Sequence, residues 1–223
     1  MTPPHHIHRL SSVQAVLFDA YGTLIEIAAK CGPFRQLLHI GAQQGRPVTP
    51  SDAVTLMTVP LGLRDAAERL GIQLTTEQAA QLDADLRTEI ASIRLFPETL
   101  ATLQQLKLRG YRLGLCSNLA ADYAAPITAL LASHLDVYVW SFDAGAIKPD
   151  PQIYAHSCRA LACRPDQILM VGDTYAADVA GPRAYGMQAL QLDRTGRSPR
   201  NDVLRTLAEL LPLLDAACVS SAT

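Results

Sequence analysis

An α/β architecture, a doubly wound parallel sheet carrying an inserted helical unit, follows from three observations on this chain. Val13, Ala15, Val16, Leu17 and Phe18 form a short, nearly continuous apolar run, as in a strand buried on both faces of a parallel sheet. From residue 97 onward, short apolar runs alternate with helical patterns, as parallel strands joined by crossovers require. Residues 26–95 lie between these regions and carry helical periodicity without a run that reads as a strand. The expected division is therefore an α/β core over 10–25 and 96–216, a helical insertion over 26–95, and flexible termini at 1–9 and 217–223.

Each element has a local reason. In the insertion, helices are expected over Pro33 to Gln43 and Ser51 to Leu70, the second interrupted at Pro60 and Gly62. Thr75 and Gln78 make a capping box ahead of a helix carrying Leu82, Leu86, Ile90 and Ile93. In the core, Pro97 opens a helix through Leu100, Leu103, Leu106 and Leu108 that Gly110 ends. A strand over Tyr111 to Cys116 and a helix around Ala120 to Leu131, broken or bent at Pro126, come next. Val137 to Trp140 is a short strand, and Asp150 caps and Pro151 opens a helix to about Ala162. Strands over Ile168 to Val171 and Met187 to Leu192, a short helix between them, and an amphipathic helix over 201–215 complete the chain. Right-handed crossovers gather the carboxyl ends of the strands on one edge.

That edge is where open α/β sheets build their sites, and Asp19 falls on it, followed by the turn Ala20-Tyr21-Gly22-Thr23. Gly22 permits a tight turn, and amides after Asp19 are placed to face an anion held against its carboxylate. Taken singly, an Asp here also suits a strand that simply ends in a turn. Three further polar clusters follow apolar runs: Ser117-Asn118 after Leu113 to Cys116, Lys148 in Ile147-Lys148-Pro149-Asp150-Pro151, and Gly172-Asp173 after Ile168 to Val171 with Asp178 downstream. Each has a plain reading as a turn, a surface lysine or a helix cap.

In their order the four clusters resemble the motifs of the haloacid dehalogenase-like hydrolase superfamily, and the resemblance spans about residues 13 to 192. It implies a Rossmann-like core with a helical cap that closes over the site, and Asp19 as nucleophile. It also implies Ser117 and the following amides as donors to the substrate, Lys148 as the charge that steadies the intermediate, and Asp178 as the residue orienting that lysine or a water. Ala20, Tyr21 and Asn118 are the expected backbone or side-chain contacts to substrate, and Arg64 in the cap is a candidate contact to a substrate phosphate. Asp19, Asp173 and a backbone carbonyl near Tyr21 make an all-oxygen set suited to Mg²⁺.

Tyr21 stands where phosphatases of this superfamily carry a second Asp that protonates the leaving oxygen. The Asp-x-Tyr-Gly-Thr form with Ser117-Asn118 is similar to the 2-haloacid dehalogenase branch, whose halide leaves without a proton; Tyr154, six positions after Lys148, matches a tyrosine there. Against that branch stands Gly172-Asp173, where its members resemble Ser-Ser-Asn and use no metal. Its halide-binding arginine has only Arg35 and Arg46 as candidates. The expectation is a Mg²⁺-dependent phosphatase acting on a small phosphorylated metabolite through an aspartyl-phosphate. The alternatives are a 2-haloacid dehalogenase working through an ester of Asp19, and a catalytically silent binding protein.

Composition is consistent with this. Nineteen Lys and Arg against 21 Asp and Glu give a net charge of −2, with no basic footprint for nucleic acid or an anionic membrane. No apolar stretch approaches a membrane span, and Met1 to Arg9 has no signal-like apolar core, so a cytoplasmic monomer or homodimer is expected. Five scattered cysteines, Cys31, Cys116, Cys158, Cys163 and Cys218, read as thiols rather than a disulfide framework. His5, His6 and His8 read as a terminal arm rather than a metal site.

Overall fold

A computed structural model describes residues 10–198, 200 and 203–220. The His5, His6 and His8 arm lies outside the described residues. Six parallel strands form the sheet: β1 (Ala15–Phe18), β4 (Arg112–Ser117), β5 (Val137–Trp140), β6 (Ile168–Gly172), β7 (Gln188–Leu192) and β8 (Val203–Leu204). Their order in space is β5-β4-β1-β6-β7-β8, so the strand bearing Asp19 is central. Alternate residues of β1 feed opposite faces. Val16 and Phe18 join one apolar layer with Leu103, Leu106 and Leu214, while Ala15 and Leu17 join the other with Ile153, Leu161 and Met170. Burial on both faces explains why this strand reads as a continuous apolar run.

The first layer is built by α5 (Thr99–Leu108) and α10 (Leu210–Ser220), the second by α8 (Pro151–Leu161) and α9 (Gly181–Tyr185). Also in the core are α6 (Ala124–Leu131) and the single turn α7 (Ser141–Ala144). The caps read from sequence are present. Asp150 accepts from the Gln152 amide at 2.9 Å, and Gly110, at φ +83°, ends α5 in the left-handed conformation. The segment 26–95 holds α1 (Pro33–Gln43), α2 (Pro50–Thr58), α3 (Leu63–Arg69) and α4 (Thr76–Ala91). The Thr75 hydroxyl accepts from the Gln78 amide at 3.1 Å and the Gln78 side chain accepts from the Thr75 amide at 3.0 Å, the expected capping box.

Five expectations are corrected. The insertion carries strand at both ends, because β2 (Ile25–Ile27) and β3 (Ile93–Leu95) pair antiparallel with Ile27 opposite Ile93. Three residues are too few for a two-residue period to show, and each strand is defined only by its distant partner. Ile93 therefore belongs to β3, and α4 ends at Ala91. Pro126 sits in the first turn of α6, after a 3₁₀ turn over Ala121–Tyr123, where its missing N–H costs nothing; Pro97 likewise precedes α5 rather than opening it. The closing helix starts later than expected, after β8 and a 3₁₀ turn at Leu207–Glu209. That helix runs to Ser220 with Ala217 buried, so residues 217–220 are helical rather than a loose terminus.

Cys31, Cys116, Cys158 and Cys163 are free thiols. Among the described residues no helix is long and apolar enough to cross a membrane.

Gly114, in the middle of β4, shows how tightly the strand carrying Ser117 is packed. A Cβ there would lie 2.8 Å from Val137 Cγ2 and 3.0 Å from Leu17 Cδ1. Gly114→Ala is expected to cost about 1–3 kcal/mol of stability, the range for overpacking a core. A lowered urea midpoint at unchanged m-value checks this; an unchanged midpoint contradicts the packing described.

Candidate active site

At the end of β1, the Asp19 amide still donates to the Val171 carbonyl of β6 at 2.9 Å, so the backbone is pinned where the side chain leaves the sheet. The chain then turns at once. The Ala20 carbonyl accepts from the amides of Thr23, Leu24 and Ile25, and the Gly22 amide donates to the Ile25 carbonyl at 2.9 Å. Gly22 is required twice over, because its φ is +77° and a Cβ would collide with the Asp173 carboxylate. The amides of Ala20 and Tyr21 have no acceptor among the described residues and stand directly after Asp19, as an anion-binding turn needs.

Lys148 is the centre of the site. Its buried Nζ donates to Asp19 Oδ1 and to Asp178 Oδ1, both at 2.7 Å. Its backbone is clamped by Asn118, whose amide group donates to the Lys148 carbonyl at 2.9 Å and accepts from the Lys148 amide at 2.7 Å. Asn118 therefore positions the lysine, and its side chain is not free for substrate. The expected contact of Asn118 with substrate then falls to its backbone amide, one of the amides following Ser117.

Asp178 lies in a π-helical turn over Tyr175–Ala180, and its second oxygen accepts from the Thr174 amide at 2.9 Å. The turn is held from beneath by Tyr154, whose buried hydroxyl donates to the Ala177 carbonyl at 2.6 Å. Tyr154 is thus spent on support. Gly172 lets the turn approach, since a Cβ would strike the Asp178 carboxylate.

Asp173 is exposed as a residue, but its carboxyl group is packed against Gly22 and faces the cluster, and it accepts from the Thr174 hydroxyl at 3.1 Å. Carboxylate oxygens of Asp19, Asp173 and Asp178 lie within 4.8 Å of one another. One ammonium faces three carboxylates, and the surplus shows at Asp19 and Asp173. Burial, assisted by Asp178 and opposed by Lys148, pushes the Asp19 carboxyl up to about 6. Burial and Asp178 also raise Asp173. Burial works against the charge on Lys148, but Asp19 and Asp178 outweigh it and hold the ammonium more firmly than in a free lysine.

The donor set fits a hard divalent cation. Both Asp178 oxygens are already engaged, while Asp19 and Asp173 retain lone pairs and the Tyr21 carbonyl accepts no hydrogen bond among the described residues.

Ser117 is buried at the end of β4; with Phe18 opposite Leu115, the register brings it alongside Ala20. The Tyr21 ring lies edge-on to Tyr123 at 6.1 Å, and its buried hydroxyl has no hydrogen-bond partner among the described residues. Burial, then Glu89, then Asp19 push its pKa well above the ordinary phenol value, so it carries no charge at neutral pH. Arg64 is exposed and paired with Asp83, and Arg46 is spent on Asp52 at 2.5 Å. Arg35 is exposed on α1. The structure brings none of these three into the carboxylate cluster.

Sequence reasoning missed two groups near the site. Glu89 of α4 accepts from the Tyr123 hydroxyl at 2.6 Å and from the Gly32 amide at 2.8 Å, and Arg194, after β7, reaches the turn that follows Asp19. Neither has a local motif, because the partners lie 34 to 172 residues away in the chain.

A carboxylate at the carboxyl edge of the sheet, bound to a buried lysine and followed by a turn with free amides, is built to meet an anion. The family model for haloacid dehalogenase-like hydrolases matches residues 13–186, and the chain belongs to that family. It is 36% identical over 131 residues, 55% of this chain, to human haloacid dehalogenase-like hydrolase domain-containing protein 3, and spans about half (51%) of that relative. It is 29% identical to (S)-2-haloacid dehalogenase 4A of Burkholderia cepacia, over 92% of this chain and 96% of that one. The crystal structure of a HAD phosphatase from Thermococcus onnurineus superposes with a TM-score of 0.62 at 25% identity, covering 92% of this chain and 99% of that one.

Because burial and a like charge raise Asp173, its ionised form costs stability in the cation-free protein. For a carboxylate shifted up, the contribution is fully present below about pH 4 and is lost as pH rises through the folded value. Asp173→Asn is therefore expected to raise Tm in chelator at pH 7 and to narrow the difference at pH 4. Thermal melts in chelator at both pH values check this. A variant that melts lower than wild type in chelator at pH 7 contradicts the charge surplus.

Proposed function

We propose that this hydrolase is a Mg²⁺-dependent phosphatase that transfers the phosphoryl group of a small phosphorylated metabolite to Asp19 and then to water. The observation that carries the reading is the three-carboxylate cluster around one lysine. A site with that surplus of negative charge repels a 2-haloacid carboxylate, whereas it holds a divalent cation and, through it, a phosphate. Asp19, Asp173 and the Tyr21 carbonyl would hold the cation, which when bound supplies neutralisation of the charge between carboxylate and phosphate.

The chain's own residues supply the rest. Asp19 attacks phosphorus, the bond to the leaving oxygen breaks, and the aspartyl-phosphate that forms is met by the Ala20 and Tyr21 amides and by Ser117. Lys148 keeps Asp19 aimed and stabilises the charge on the transferring group, and Asp178 holds Lys148 in place. Water then attacks phosphorus and Asp19 leaves as a carboxylate. The helices of the insertion act as a cap that excludes bulk water and selects the substrate, and the protein works in the cytoplasm as a monomer or homodimer.

Tyr21 limits the chemistry. Its hydroxyl is neutral and its ring lies edge-on to Tyr123, so no acid stands two residues after the nucleophile to protonate a poor leaving group. The same residue favours a second reading, a 2-haloacid dehalogenase, in which Asp19 displaces halide at carbon. A plate of phosphorylated metabolites and 2-chloropropionate, each with Mg²⁺ or with chelator, separates the two. Phosphate release that requires Mg²⁺ supports the first reading, and halide release in chelator overturns it. Asp19→Asn is expected to keep the fold and lose several orders of magnitude in turnover; full activity removes Asp19 from the chemistry.

Leaving-group dependence follows from Tyr21. Aryl and acyl phosphates are expected to outrun alkyl phosphates steeply, since general acid catalysis is typically worth 10²–10⁴-fold. Tyr21→Asp is expected to narrow that gap. Equal wild-type rates on alkyl and aryl esters would show that another residue supplies the proton.

A further inference from the structure

We infer that Arg194 is a positioning residue that locks the nucleophile turn to both ends of the helical insertion, so that the site's geometry is set from a loop contributing no group to the chemistry. The inference rests on the phosphatase reading only where it concerns Mg²⁺.

The observation is the set of partners. Arg194 Nε donates to the Gly22 carbonyl at 3.2 Å, one terminal nitrogen donates to the Thr23 carbonyl at 2.7 Å, and the other donates to Glu98 Oε1 at 2.6 Å. Its guanidinium carbon lies 3.7 Å from the centroid of the Phe96 ring. Each of the three nitrogens has a partner within the protein, so the guanidinium is fixed by the two segments it joins.

The partners belong to two segments. Gly22 and Thr23 end the turn that starts at Asp19 and lead into β2, while Phe96 and Glu98 follow β3 where the insertion rejoins the core. The same joint is closed by Leu24, whose carbonyl accepts from the Phe96 amide at 3.1 Å and from the Thr99 hydroxyl at 2.8 Å. Arg194 is itself preorganised by its neighbour. The Asp193 carboxylate accepts from the amides of Thr195 and Ser198 and from Arg205, and the Ser198 and Thr195 bonds hold it down to about 2.

A planar fork suits this task, because two carbonyls and a carboxylate must be met from one point while the face covers a ring. A lysine offers a single head and no face. The consequence for the site runs through Gly22, which touches the Asp173 carboxylate so closely that a side chain there is excluded. A shift of the turn displaces the Tyr21 carbonyl and the free amides and opens the gap to Asp173, which alters cation binding and alignment together.

The test uses the full chain with Arg194→Ala and Arg194→Lys, read by hydrogen exchange, Mg²⁺ calorimetry and steady-state kinetics. Peptides covering 20–27 and 93–99 are expected to exchange faster in Arg194→Ala while the β4 and β6 peptides keep wild-type protection. Mg²⁺ affinity is expected to fall about tenfold. kcat is expected to fall about tenfold to a hundredfold with KM nearly unchanged, the scale of misplacing reacting groups by up to an ångström. Arg194→Lys is expected to lie between, and millimolar guanidinium to restore part of the alanine variant's kcat.

Uniformly faster exchange, or a lowered Tm with wild-type exchange in the two peptides, overturns the inference and makes Arg194 ordinary packing. Wild-type Mg²⁺ affinity and kcat in a folded Arg194→Ala overturn it as well. Failure of the wild type itself to bind Mg²⁺ counts against the phosphatase reading alone; exchange, and kcat on 2-chloropropionate, then decide the role of Arg194.

Discussion

Everything in this site is arranged around one buried ammonium. Lys148 has two carboxylates at 2.7 Å and almost no solvent, so it stays charged, and its removal would leave Asp19 and Asp178 facing each other unscreened. The fold spends considerable structure on that contact. Asn118 clamps the lysine's backbone, the Thr174 amide fixes the far oxygen of Asp178, and Tyr154 holds the π-helical turn from below. Four strand ends and loops must agree for the ammonium to sit between its partners, which explains why the sheet places β1 at its centre, between β4 and β6.

A second constraint is closeness. Gly22 and Gly172 are sites where a methyl group would strike the carboxylates of Asp173 and Asp178, so the turn after Asp19 and the strand before Asp173 are packed against the carboxylate cluster itself. Rigidity at that distance converts small shifts of remote loops into changes at Asp19. It also couples the helical segment to the chemistry, since β2 and β3 leave and rejoin the core at the same joint that Arg194 and Leu24 tie together.

Much of this was legible in the sequence because the informative features are local. A strand buried on both faces announces itself as an apolar run, and a strand-end carboxylate, a glycine turn and a capping box are each contained in a few residues; Asp19, Lys148, Asp173 and Asp178 each had a plain local reading and were singled out by their order, which resembles the motifs of one superfamily. What escaped was set by distance. The β2–β3 pair has three residues a side and exists only because Ile25 meets Leu95. That the Asn118 side chain clamps the Lys148 backbone, 30 residues on, had no local sign. Tyr154 stood out only as a match to a family tyrosine, and its supporting role, like that of Arg194, was hidden for the same reason: it runs through distant backbone carbonyls, which leave no residue-type signature.

The central claim, that Asp19 attacks phosphorus and is released by attack of water on phosphorus, is tested most directly by the fate of solvent oxygen. Turnover of p-nitrophenyl phosphate in ¹⁸O-water with Mg²⁺ is followed by mass spectrometry of the released phosphate and of the peptide containing Asp19. The account predicts label in the phosphate and natural abundance in Asp19, because the phosphorus–oxygen bond breaks and the carboxylate keeps its own oxygens. Label in the Asp19 carboxylate would contradict it, since that requires water to attack the acyl carbon, the route by which an ester of Asp19 formed in halide displacement is hydrolysed.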